Sequence, residues 1–252
     1  MPRTGLFVYG FIRASEDRST GIMGIENDGV PAEVRVIVTD DVGAVVSDAA
    51  GGERPIPSRK HLGSHSRVIQ AFLASIIPMS FGQVVKSAAE LKKFIKKNRA
   101  ALLAELEWLD GKVEMSLRVR WDVENIFEYF VDGDPELAEA RDRVFGLEGQ
   151  PSHADKLGLG GMFEALLTAE RTKCTDQVVE LMRPSTSDVK VNTPKNEKMV
   201  MDLVMLVERD SVDTFERRVH EVADTFPSQY TFEFTGPWAP FSFVELDLQP
   251  RA

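Results

Sequence analysis

Five arrangements in this chain hold residue types able to do chemistry, and in each case the spacing weighs against it. Gly158-Leu-Gly160-Gly161-Met-Phe163 carries the first two glycines of the dinucleotide-binding pattern G-x-G-x-x-G. Phe163 replaces the third and no strand precedes the run, so glycines that let helices pack closely are the better reading. Pro78-Met-Ser80-Phe-Gly82 approaches a nucleophile elbow but lacks the first small residue that the sharp strand-to-helix turn requires. His61 and His65 stand four apart on one helix, as zinc ligands can. Leu62, however, sits where H-E-x-x-H has its glutamate, and no cysteine or third histidine lies near in sequence. Cys174, the single cysteine, has no neighbouring histidine or basic cluster and reads as a small buried apolar residue. Carboxylates are plentiful, yet nothing in the sequence sets two of them across a scissile sugar bond. No catalytic, cofactor or metal site is specified, and the chain is expected not to be an enzyme.

Two features survive this pruning. The first is charge segregation. Lys86 to Arg99 holds Lys86, Lys92, Lys93, Lys96, Lys97 and Arg99 against Glu90 alone, whereas Asp122 to Glu139 holds seven carboxylates and no cation. Such runs are solvated helix faces or complementary docking surfaces. The second is an aromatic tail. Tyr230 to Phe243 contains six of the 21 aromatic residues and ends Gly236-Pro237-Trp238-Ala239-Pro240-Phe241-Ser242-Phe243. Two prolines flanking Trp238 make a stiff presentation of large apolar groups, which either fill a groove between domains or meet a partner.

The elements that position these residues are legible from periodicity. Leu6 to Ile12 reads as an opening strand, followed by a glycine-rich loop (Gly21, Gly24, Gly29) that ends at Pro31. Val34–Thr39 and Ala44–Ser47 form a hairpin around Asp40-Asp41-Val42-Gly43, with Gly43 available for positive φ. A helix is expected over 58–77, ended by Pro78. Ser87-Ala-Ala-Glu90 is a capping box opening a second helix that stops at Gly111. Then the period changes: Val113, Met115, Leu117, Val119 and Trp121 alternate with polar residues, as in a half-buried strand. Helices capped by Asp122 and by Asp134-Pro135 come next, and a long one from about 152 to 182. A short strand over Val189–Asn192, an almost wholly apolar strand over Met199–Val207, a helix capped by Asp210 and a last strand at Tyr230–Thr235 complete the chain.

This order predicts a two-domain α+β protein. Residues 1–110 form an N-terminal α+β domain. Residues 111–252 form a ferredoxin-like (split β-α-β) domain with an enlarged helical crossover and a C-terminal aromatic tail, 236–252. The composition agrees with a globular chain: 252 residues, 43% apolar, 30 basic against 40 acidic residues, net charge −10. One cysteine excludes an internal disulfide and points to a reducing cytosol. The start has no signal-peptide core and no apolar run approaches the roughly 18 residues of a membrane span. The acidic balance disfavours nucleic acid and anionic lipid as partners.

A set of ordered motifs also carries a family resemblance. They are Phe7-Val8-Tyr9-Gly10-Phe11, then Leu62, His65 and Val68 as L-x-x-H-x-x-V, then Ile77-Pro78-Met79-Ser80-Phe81-Gly82. Leu109-Asp-Gly111-Lys-Val113-Glu114 and Gly236 to Phe243 complete the set. Together they resemble the GvpL/GvpF family of gas vesicle proteins. Ser80 stands where the family usually has Arg, Ala239 replaces a Pro and Phe241 a Tyr, so any polar contact of that Arg must be lacking here or come from elsewhere. The resemblance implies a non-enzymatic, cofactor-free accessory protein with a ferredoxin-like C-terminal domain. Its implied partner is the small hydrophobic gas vesicle shell subunit (GvpA-type), with other accessory proteins as further partners. It implies a role in assembly of the shell or, alternatively, as a minor component retained in the vesicle wall. The contact residues expected are Trp238, Phe241 and Phe243, with Lys92, Lys93, Lys96, Lys97 and Arg99 as an orienting surface.

Overall fold

A computed structural model describes residues 5–27, 29–50, 53–146 and 152–246. It is a mixed α+β protein with two sheets. The first contains β1 (Gly5–Arg13), β2 (Arg18–Asn27), β3 (Val30–Thr39), β4 (Val42–Ala49) and β5 (Ile76–Pro78). Their order is β2-β3-β4-β1-β5, and β6 (Val84–Val85) also pairs with β1. All of these pairings are antiparallel. Helices α1 (Arg59–Gln70) and α2 (Ala88–Leu109) accompany this sheet.

β1 is buried from Gly5 to Ile12, which explains why it reads as a continuous apolar run rather than an alternation. Its register against β4 shifts between Val8 and Gly10. An extra residue reverses the side-chain parity of the strand beyond it. Phe7, Tyr9 and Ile12 consequently share one core cluster with Val68 and Ile69 of α1, whereas Phe11 stacks on Phe94 of α2 with ring centroids 6.1 Å apart. The strand meets α1 with one face and α2 with the other, and the shift exchanges which residue parity lies on each face.

Three expectations about this region are corrected. The glycine-rich segment is not a loop: Gly21 and Gly24 lie inside β2, which pairs with β3 through two register irregularities. At Gly24 a Cβ would lie 2.2 Å from the Tyr9 hydroxyl, so the absent side chain lets β2 close over that tyrosine. The hairpin turn is Asp40-Asp41, and Asp40 takes the positive φ (58°) expected of Gly43, which lies within β4. The helix expected over 58–77 stops at Gln70; Ile76 to Pro78 pair with Ile12 to Gly10 instead, so the apolar residues that continue the helical period belong to a strand.

The second sheet has the order β10-β7-β9-β8, built from β7 (Lys112–Trp121), β8 (Asp188–Asn192), β9 (Met199–Glu208) and β10 (Tyr230–Trp238). Between β7 and β8 run α3 (Ile126–Gly133), α4 (Pro135–Phe145) and α5 (His153–Met182); α6 (Val212–Ala223) joins β9 to β10. The alternation of β7 is observed as read: Val113, Met115, Leu117, Val119 and Trp121 are all buried. β9 lies inside the sheet and is buried from Met199 to Val207. Caps fall on Ser87, Asp134 and Ser152 as their chemistry requires. Asn125 rather than Asp122 caps α3, and Ser211 rather than Asp210 precedes α6.

By contacts the chain divides into two units. One comprises Met1–Glu114, Leu206–Asp210 and Gly236–Ala252; the other comprises Met115–Met205 and Ser211–Thr235. This differs from a single cut at residues 110 and 111, because the tail joins the first unit. Ala239 is buried in the same cluster as Phe7, Tyr9 and Val68, a connection that depends on tertiary burial and leaves no local sequence signal.

Candidate partner-binding site

The tail is fixed at several points and presents two rings between them. After β10, Ala239 is buried and Phe241 to Phe243 make one 3-10 turn closed by the Phe243 N–H donating to the Pro240 carbonyl at 3.1 Å. Two carboxylates of the same unit hold it. Ser242 donates to Glu114 from its backbone N–H at 2.8 Å and from its hydroxyl at 3.1 Å; the Glu245 N–H donates to Glu105 at 2.9 Å. Both carboxylates are only 8% exposed, so these are charge-assisted bonds shielded from water. Glu114 occupies a polar position in the β7 alternation and looks solvent-facing in sequence. Its burial, like that of Glu105 on α2, appears only when the tail is laid over it.

The three expected aromatic contact residues therefore separate. Trp238 and Phe241 are 47% and 44% exposed, whereas Phe243 is buried and anchors the tail. The expectation that Phe243 presents its ring to a partner is corrected on that ground. Trp108, late on α2 and in the same unit, is also 44% exposed, with Lys112 Nζ 5.0 Å from its ring centre.

The basic run lies on α2, opened by Ser87 Oγ accepting from the Glu90 N–H. Glu90 returns a bond to the Lys86 N–H rather than to Ser87 itself. Lys92, Lys93, Lys96, Lys97 and Arg99 are all exposed. Arg99 makes a two-pronged contact with Asp41 at 2.9 and 2.7 Å, both partners half-exposed, which is worth at most about 1 kcal/mol. The acidic run belongs to α3, α4 and the turns before them. Six of its seven carboxylates are exposed; Asp134 is half-buried as the α4 cap. Arg141, outside the run, pairs with Glu128 and Asp142.

The arrangements considered for chemistry fall apart in space. His65 is buried among Phe7, Tyr9 and Phe81, stacked on Tyr9 at 5.6 Å, while His61 is half-buried and its Nδ1 bonds the Ile56 carbonyl. The two do not share a ligand. Desolvation pushes the His65 imidazole down to about 4, so the ring is neutral. Cys174 is buried beside Glu170 and Tyr230, and burial raises its thiol to about 11, away from nucleophilic character. Ser80 is exposed at the turn before Gly82. That turn, which lacks the arginine of the resembled motif, does have a guanidinium: Arg54 Nη2 donates to the Phe81 carbonyl at 3.0 Å and lies against Gly82. The α5 glycines are corrected too. Among the described residues a Cβ built at Gly158, Gly160 or Gly161 would meet nothing within 4 Å, so close helix packing does not account for them there. Among the described residues no group of three or more His, Cys, Asp or Glu side chains is set to hold a metal, and no helix is long and apolar enough to cross a membrane.

Comparison with known proteins bears on what such a surface serves. The family model described as gas vesicle synthesis protein GvpL/GvpF matches residues 5–245. Gas vesicle protein F of Dolichospermum flosaquae is 23% identical over 247 residues, covering 96% of this chain and 98% of that protein. Gas vesicle protein F of Streptomyces sp. (strain CB03234) is 27% identical over 241 residues, with 95% and 99% covered. The crystal structure of the gas vesicle protein GvpF from Anabaena sp. PCC7120 shares the fold, with a TM-score of 0.82 at 20% identity over 97% of this chain and 99% of that one.

Proposed function

The chain belongs to the GvpL/GvpF family of gas vesicle proteins, and from that membership we propose that it binds the small hydrophobic shell subunit and supports assembly of the vesicle shell. The observation that supports this reading is the pair of exposed rings, Trp238 and Phe241, on a tail held from both sides by Ala239, Phe243, Glu105 and Glu114. Ordered aromatic groups meet an apolar partner at low entropic cost, because they are already in place. A free, strongly apolar subunit aggregates unless its exposed surface is covered. A carrier of net charge −10 keeps the complex dispersed. Lys92, Lys93, Lys96, Lys97 and Arg99 orient the partner by its carboxylates.

In this reading the protein works in the cytoplasm at the growing vesicle, without cofactor or catalysis. We also read its second sheet as a ferredoxin-like split β-α-β arrangement. Numbered along the chain, its strands stand in the order 4-1-3-2, with α3 to α5 as an enlarged first crossover.

The experiment is co-expression with the shell subunit followed by size-exclusion chromatography of the soluble fraction. The shell subunit, insoluble alone, is expected to coelute with this chain. It is expected to be lost from a folded Trp238→Ala/Phe241→Ala variant that keeps the Phe243 anchor. A shell subunit that stays insoluble beside the unaltered chain, or one carried equally by the variant, overturns the proposal.

A further inference from the structure

Two of the three tryptophans of the chain, Trp108 and Trp238, are half-exposed, while the third, Trp121, is buried. A single exposed apolar side chain is ordinary for a globular protein and asks for no explanation. Trp108 differs in two respects: its ring is held, and it stands beside the tail that carries the other exposed rings.

The hold comes from Lys112. Trp108 lies in the last turn of α2, where carbonyl groups lack partners within the helix. Lys112 Nζ donates to the Trp108 carbonyl at 2.7 Å, and it lies 5.0 Å from the centre of the Trp108 ring and 3.8 Å from Glu208 Oε1. The ammonium group thus caps the helix and attracts the face of the indole at once. An indole fixed in this way has lost rotamer freedom before any partner arrives, so a contact with it costs less in order.

The position follows from the residues on either side. Glu105, which accepts from the Glu245 N–H, is three residues before Trp108 on α2. The two side chains are therefore neighbours on the helix surface, about 4.5 Å apart along its axis. Glu114, which accepts from the Ser242 N–H and hydroxyl, is two residues after Lys112 on β7, on the same face of the strand and about 7 Å away. The tail from Ser242 to Glu245 is thus tied close to Trp108 at one end and close to Lys112 at the other. Phe241 directly precedes Ser242, and all of these residues belong to the first unit. Phe241 and Trp108 flank the same two anchors, on the order of 10 Å apart by these spacings.

We propose, on the reading that the chain binds the shell subunit, that Trp108 is a third ring of that contact, and that the surface runs from the end of α2 across the tail. A surface of that length does not take a single inserted side chain. It takes a continuous apolar stretch of the partner, about two helical turns or three strand residues long. Glu105 and Glu114 beneath the tail are buried and already bonded to it, so the rings make the contact and the carboxylates support it.

The test places the photoreactive residue p-benzoylphenylalanine at single positions during co-expression with the shell subunit. Trp108→p-benzoylphenylalanine and Phe241→p-benzoylphenylalanine chains are each expected to crosslink to the shell subunit on irradiation. Arg217→p-benzoylphenylalanine, at an exposed position of α6 in the other unit, is expected not to. A Trp108→Ala variant, shown by circular dichroism to be folded, is expected to carry at least about tenfold less shell subunit in the coeluting fraction, as for a central aromatic contact. Crosslinking from position 241 but not 108 overturns the role of Trp108 and leaves the binding standing. So does crosslinking from position 217 equal to that from 108, or full recovery of the shell subunit by the folded Trp108→Ala variant. Failure of the unaltered chain to carry the shell subunit overturns both.

Discussion

A buried neutral histidine makes stability depend on pH in a way that can be worked out from its surroundings. His65 is 6% exposed, enclosed edge-on by Phe7 and Phe81 and stacked on Tyr9, and its Nε2 has no hydrogen-bond partner in the described structure. Desolvation lowers its pKa to about 4, with a backbone hydrogen bond at Met79 opposing the shift, against 6.5 for the ordinary group. The unfolded chain thus binds a proton in the window from about 6.5 down to about 4 while the folded chain does not. Stability is fully present above about 6.5, falls as the pH drops through that window, and levels off below it. Full protonation of the unfolded state costs about 3 kcal/mol across the window, and roughly 2 kcal/mol of that is lost by pH 5. Against a total of about 5–15 kcal/mol this is a large share.

Urea unfolding at pH 8 and pH 5, compared between the unaltered chain and a His65→Phe variant, isolates the effect, because other titrating groups cancel in the difference. The phenyl ring keeps the aromatic cage and removes the titrating nitrogens. The stability difference between the two chains is expected to change by about 2 kcal/mol between the two pH values. An NMR titration of the imidazole is expected to give a midpoint well below 6.5. Parallel stability curves, or a midpoint at the ordinary value, refute the reasoning from burial.

Two further perturbations test contacts that hold the first unit together. Glu114→Ala strands the Ser242 N–H and hydroxyl in a buried place, so a loss of about 1–3 kcal/mol is expected, together with faster proteolysis of the tail in a limited-digestion time course. Gly24→Ala pushes a methyl against the Tyr9 hydroxyl, which bonds both Ser47 and the Ile25 N–H. An expected loss of about 1–3 kcal/mol is read by thermal unfolding, and Tyr9→Phe in the same chain is expected to relieve part of it.

The features legible in the sequence share one physical character: they are encoded by neighbours. The β7 alternation, the apolar run of β9 and the side-chain caps at Ser87, Asp134 and Ser152 need only residues within a turn or two to declare themselves. The candidate site was legible in part. The exposed lysines of α2 and the rings of Trp238 and Phe241 stand at the surface, and their run of charge and aromaticity singles them out. Phe243 is of the same residue type and two positions from Phe241, yet it faces inward, because the 3-10 turn at Phe241 to Phe243 rotates it into the core.

Tertiary structure decided the rest, for reasons of pairing and burial over long sequence distances. The glycine-rich segment becomes strand β2 because β3 lies beside it and because Gly24 leaves room for Tyr9, fifteen residues earlier. Ile76 to Pro78 leave the helical pattern because β1 offers backbone partners that a helix would forgo. Glu105 and Glu114 look like surface carboxylates until the tail, more than a hundred residues later, brings its N–H groups to them. The sequence by itself determined strands β7 and β9, the caps at Ser87, Asp134 and Ser152, and the family. Which polar groups are buried, which aromatic ring is an anchor and which is exposed, and where the tail belongs depend on desolvation, and only the folded chain sets that.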